Sequence, residues 1–112
     1  MIRVIYEREQ YRVTTRGHAC YGAYGEDIIC SAVSVLMLTL LRMGNRLQAS
    51  GKAVCGGRLE SGLGNVWCRP AQGCEATVRT VMDTVAAGLE LLGEEFPDYV
   101  HYELREQRKE NV

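Results

Sequence analysis

The chain reads as an α+β fold in which two helices pack on a largely antiparallel sheet, in the order β-β-α-β-β-α-β. Three patterns predict it. Two short segments near the start, and one near the end, alternate apolar and polar residues with a period of two. Two longer segments carry apolar residues at helical spacing, and the glycine-rich stretch between them has the composition of a hairpin. A length of 112 residues suits one domain, read as residues 1–104, with a charged segment at 105–112 expected to fray.

The first strand is expected over residues 2–7, with Ile2, Val4 and Tyr6 in one phase, and the second over 11–17, with Tyr11, Val13 and Thr15 in phase. Arg8-Glu9-Gln10 makes their connection, and the hairpin delivers His18 at the end of its second strand. A helix over about 27–43 follows, with Asp27 as its N-cap. Ile28, Ile29, Val33, Val35, Leu36, Leu38, Leu40 and Leu41 leave it little polar face, so it needs cover on more than one side, some of it from a second subunit. Gly44-Asn45 is read as its end. The apolar run 28–41 is interrupted by polar residues and too short for a bilayer core of about 30 Å.

Residues 48–69 form the second hairpin, with strand cores at 53–56 and 66–68 and a connection at 60–65. Gly56, Gly57, Gly62 and Gly64 lack the context of a phosphate-binding loop and are read as turns and bulges; Trp67 is read as a packing residue. The second helix, 74–92, carries Val78, Val81, Met82, Val85, Leu89 and Leu92 as its core stripe, closed by Gly93 and Pro97. Arg79, Asp83 and Glu90 fall on its solvated face. Residues 99–104 make the last strand, with His101 on its outer phase.

Composition excludes several classes of function. A net charge of −1 offers no basic excess for a nucleic-acid backbone. The cysteines, Cys20, Cys30, Cys55, Cys68 and Cys74, are odd in number and contain no C-x-x-C pair, which argues against a disulfide framework or a structural zinc and for a reducing cytoplasm. The N-terminus lacks the continuous apolar core of a signal peptide. No metal, cofactor or membrane partner is expected.

Chemistry concentrates in residues 17–34. With Asp27 as N-cap, Cys30 stands at the third helical position, where the partial positive charge of a helix start favours thiolate. His18 lies twelve residues upstream, across a loop whose Gly22 and Gly25 permit the chain to fold the imidazole back over that helix start. Asp27 and Ser34, three before and four after Cys30, share its helix face. Asp27 can cap the helix, orient His18, or do both; its charge would oppose a thiolate, so it is expected on backbone N–H groups or the imidazole rather than on the sulfur. Tyr21 and Tyr24, set between the loop's glycines, read either as a lid over a peptide or as locally packed rings.

Gly17-His18-Ala19, the eight residues from Asp27 to Ser34 (D-I-I-C-S-A-V-S), and a later segment from Gly88-Leu89 to Phe96-Pro97-Asp98-Tyr99-Val100 resemble the ribosomal-processing cysteine protease (Prp) family. The resemblance implies the same architecture, a homodimer, and a cysteine endopeptidase with Cys30 as nucleophile and His18 as general base or imidazolium partner. Gly17, Asp27 and Ser34 support them; Tyr21, Gly22, Tyr24 and Gly25, on the lid reading of the loop's own composition, are the substrate-loop candidates. Its implied substrate is the N-terminal extension of large-subunit ribosomal protein twenty-seven. First-turn N–H groups of the helix are expected to stabilise the oxyanion. Other readings are a phage-type relative acting on virion proteins, a non-catalytic ribosome-assembly or interaction module, and a thiol redox or acyl-transfer protein using Cys20 as resolving partner. His101 as an alternative base and Asp83 as a third catalytic member are the weaker site assignments.

Overall fold

The opening alternation builds a hairpin in which β1 (Ile2–Glu7) and β2 (Arg12–Arg16) pair antiparallel around one 3-10 turn, Arg8–Gln10. The computed structural model describes residues 1–23 and 27–106. It continues with α1 (Ile28–Ala49), β3 (Ala53–Glu60), β4 (Leu63–Pro70), α2 (Glu75–Glu95) and β5 (Val100–Arg105). The result is the expected α+β fold, two helices on a five-stranded sheet of order β3-β4-β2-β1-β5. Three strand pairs are antiparallel, and β5, arriving after α2, joins β1 in parallel.

Strand alternation decides what the sheet buries. Ile2, Val4 and Tyr6 of β1 and Val13 and Thr15 of β2 are buried in the phase read from the sequence, and Val66 and Cys68 of β4 are buried on the same sheet. They meet Ile29, Val33, Met37, Leu40 and Leu47 of α1 and Val78, Met82, Val85, Ala86 and Leu89 of α2 in one core.

Several boundaries differ from the sequence reading, each for a tertiary reason. Helix α1 does not stop at Gly44-Asn45; it runs one and a half turns further and ends at Ser50-Gly51, where Gly51 adopts φ +74° and its N–H donates to the Gln48 carbonyl. Gly44 is a buried packing position, because a Cβ there would stand 3.2 Å from both Cys55 Cβ and Cys68 Sγ. At 22 residues α1 is therefore long and apolar enough to cross a membrane by length and composition. One face of it nevertheless lies in the core, while Ile28, Val35 and Leu38 are exposed along another. Gly93 likewise sits inside α2, against Tyr102.

Asp83 and Arg79 are not on a solvated face. Tyr6 Oη (2.6 Å), Arg8 Nε (3.0 Å) and Arg8 Nη2 (2.9 Å) all donate to the Asp83 carboxylate, and Arg79 Nη2 donates to Tyr11 Oη at 2.7 Å. These contacts fasten α2 to the first hairpin. Of the segment 105–112, Arg105 belongs to β5 and Glu106 pairs with Arg8 at 3.2 Å, while 107–112, where fraying was expected, lie outside the described residues.

Candidate active site

Beyond Arg16 the chain leaves the sheet at Gly17, whose φ of +98° and 2.3 Å approach of a would-be Cβ to the Met1 carbonyl oxygen admit only glycine. Two hydrogen bonds hold this exit. Gly17 N–H donates to the Gly62 carbonyl in the β3–β4 turn at 2.9 Å, and the Met1 ammonium donates to the His18 carbonyl at 2.6 Å. The His18 imidazole consequently lies over Gly62, its Nε2 2.8 Å from where a Cβ on that residue would be. Next, Ala19 is buried, and its N–H donates to Cys30 Sγ at 3.3 Å.

Asp27 is the N-cap of α1, with extended backbone and a carboxylate that accepts from Ile29 N–H and Cys30 N–H at 3.0 Å each. Its other oxygen accepts from Tyr21 N–H at 2.9 Å, so one buried carboxylate ties the loop to the helix start. These bonds, the Cys30 N–H foremost and the Tyr21 N–H with it, outweigh the opposing effect of desolvation and hold its pKa below the ordinary value. Asp27 thus takes the backbone role expected of it, its carboxylate accepting from the N–H groups of Tyr21, Ile29 and Cys30; its described partners do not include His18.

The same bonds alter the expected oxyanion donors. Ile29 N–H and Cys30 N–H are committed to Asp27 Oδ1, and Ser31 N–H to the Asp27 carbonyl. The N–H already directed at the sulfur comes from the loop, at Ala19.

His18, Cys30, Asp27, Ser34 and Gly17 all line one open cleft of about 940 Å³, together with Cys20. Leu38 of α1 and Leu59 of β3 contribute apolar wall. Cys30 is half-buried and His18 exposed; among the described residues no hydrogen bond joins them. Gly22 also lines the cleft, whereas the Tyr21 ring packs edge-on against Tyr99 (centroids 5.0 Å, 84°) and Phe96 (6.2 Å, 71°), as a locally packed ring does. Tyr24 and Gly25 lie outside the described residues. Neither His101, exposed on β5, nor Asp83 borders the cleft. Among the described residues no three His, Cys, Asp or Glu side chains converge as a metal site would need.

Sequence reasoning missed two parts of this site, the Gly62 seat under the imidazole and the Ala19 N–H on the sulfur. Gly62 was legible only as a turn glycine; nothing local ties it to a histidine 44 residues earlier.

A sequence model of the family described as cysteine protease Prp matches residues 1–101. No curated protein matches. Among solved structures, the ribosomal processing protease Prp from S. aureus with a covalently linked product peptide superposes with a TM-score of 0.70 at 18% identity, covering 93% of this chain and 97% of that one. The same protease with a substrate peptide gives 0.66 at 19% identity, covering 94% and 100%. SMU.848 from Streptococcus mutans gives 0.66 at 23% identity, covering 95% and 93%. At these identities the likeness is one of fold.

Proposed function

The chain belongs to the Prp family of cysteine proteases, and from that membership we propose that it is an endopeptidase whose nucleophile is Cys30 and whose base is His18. One observation carries the assignment of residues: both side chains open on one cleft, with a loop N–H already directed at the sulfur.

The reaction follows from that arrangement. The imidazole, which shares the cleft with Cys30 from its seat over Gly62, takes the thiol proton. The thiolate attacks the scissile carbonyl carbon, and the imidazolium then protonates the departing amine, leaving a thioester on Cys30. His18 next deprotonates a water that attacks this thioester, releasing the acid product and regenerating the thiol. Ala19 N–H follows the charge as it moves from sulfur to the carbonyl oxygen. Asp27 holds the loop and helix start in register, and Ser34, one turn beyond Cys30, borders the bound peptide.

The substrate reading is the N-terminal extension of large-subunit ribosomal protein twenty-seven. S. aureus Prp, of the same fold, is a ribosomal processing protease seen with substrate and product peptides, which supports a peptide in this cleft. A homodimer in the cytoplasm completes the proposal.

The test compares cleavage of the extension peptide and of a virion-protein peptide by the unmodified protein, Cys30→Ala and His18→Ala. Cys30→Ala is expected to lose all cleavage, and His18→Ala to fall by at least about 100-fold. Cleavage by Cys30→Ala would remove the assignment. Preference for the virion peptide would move the substrate class to phage-type processing, and binding without cleavage by all three proteins would leave an interaction module.

A further inference from the structure

A second pair of sulfurs lies away from the cleft. Cys55 of β3 and Cys68 of β4 face each other directly in the antiparallel register. Neither amide serves the other strand at this position. Cys68 N–H donates to the Tyr11 carbonyl at 3.0 Å, on the far side of β4, and Cys55 N–H donates to Gln48 Oε1 at 2.8 Å, outside the sheet edge. The two residues therefore form a non-hydrogen-bonded pair, the class in which opposed Cα atoms come to about 4.5 Å and side chains are closest. That spacing is at the near end of the roughly 4.4–6.8 Å a disulfide bridges.

Their side chains share a face. Both sulfurs crowd the same point over Gly44 of α1, 3.2 Å for Cys68 and 3.5 Å for Cys55, and each thiol perturbs the other. Burial raises both thiol pKa values, so the thiolate population grows as pH rises above neutrality. Access is unequal: Cys68 is fully buried, whereas Cys55 is half-buried on an edge strand.

We propose that Cys55 and Cys68 are a redox modification site, closing to a reversible cross-strand disulfide when the protein meets a low-molecular-weight disulfide such as oxidised glutathione. Cys55 thiolate attacks one glutathione sulfur, forming a mixed disulfide and releasing one glutathione thiolate. Cys68, losing its proton to solvent base, attacks the Cys55 sulfur and releases the second. Two protein thiols are oxidised and one glutathione disulfide is reduced to two thiols. The bond staples the hairpin whose turn carries Gly62, and it leaves Cys30 free.

The experiment incubates the full chain with oxidised glutathione at pH 8, quenches with N-ethylmaleimide and maps linked peptides by mass spectrometry. A Cys55–Cys68 link is expected as the dominant intramolecular cross-link, reversed by dithiothreitol, with Cys20, Cys30 and Cys74 recovered either alkylated or as glutathione adducts. Cys55→Ser, at the half-exposed position, is expected to lower intramolecular cross-linking more than tenfold. Mapping of the unmodified protein needs no variant to fold. A dominant link through Cys20 and Cys30, or a glutathione adduct on Cys55 that never resolves onto Cys68, would overturn the proposal. None of these readouts involves proteolysis, so loss of the protease assignment would leave this result standing.

Discussion

Gly62→Ala separates the geometry of the site from the strain of its backbone. An alanine there must hold a φ of +76°, a left-handed conformation that costs an L-residue about 1–2 kcal/mol. Its methyl would also begin 2.8 Å from His18 Nε2, about 0.7 Å inside the ordinary contact of roughly 3.5 Å, so the ring must retreat. Gly51→Ala isolates the first effect, because Gly51 has φ +74° with nothing within 4 Å of the new methyl. Both variants should melt about 4–8 °C lower, taking about 4 °C per kcal/mol for a domain of this size. Only Gly62→Ala should lose activity, by about 10–100-fold in kcat/KM, the scale expected when a catalytic group is misplaced by a fraction of an ångström to an ångström. The assay is peptide cleavage well below both melting temperatures, with the His18 Cε1 proton followed by NMR to record the displaced ring. Equal kcat/KM in the two variants would refute the argument that this seat sets the imidazole.

Gly44→Ala should destabilise by about 1–3 kcal/mol through overpacking, because its methyl presses on Cys55 Cβ and Cys68 Sγ at 3.2 Å; urea unfolding measures it. Asp27→Asn tests the cap: the depressed pKa of Asp27 means its stabilisation is complete above the ordinary carboxylate value and is lost as pH falls through the folded value. Melting curves of the variant should lack that acid-side decline, and Tyr21 N–H should exchange faster with solvent. Tyr6→Phe removes a 2.6 Å hydrogen bond to a charged carboxylate and should cost about 1.5–3 kcal/mol at neutral pH. Because desolvation first and Asp83 second raise the Tyr6 pKa, its contribution is full below about pH 10 and lost as pH rises toward the folded value. The variant should accordingly show the flatter alkaline limb.

What the chain disclosed about itself was local. Period-two alternation in 2–7 and 11–17 identified both strands and the face each buries, because that face is set by the pleat alone. Asp27 was readable as an N-cap for a similar reason, its partners lying two and three residues ahead. Features that depend on distant neighbours were hidden. Gly44 looked like a terminator since its reason for being small is a pair of cysteines eleven and 24 residues later. Asp83 looked solvated because Tyr6 and Arg8 approach it from the other end of the chain. At the site, His18 and Cys30 were legible as residue types at a suggestive spacing, whereas the donor on the sulfur and the seat of the ring arise only when β2, the β3–β4 turn and α1 meet.

The edge-on stack of Tyr21 on Tyr99 and Phe96 joins the rim of the cleft to the bend between α2 and β5, some 75 residues away along the chain. Resonances of those two rings would therefore register any excursion of the 19–23 segment through altered ring-current shifts, giving a label-free gauge of the rim's movement. Conversely, a substitution or antibody that disturbs the bend loosens the rim without touching the sulfur or the imidazole.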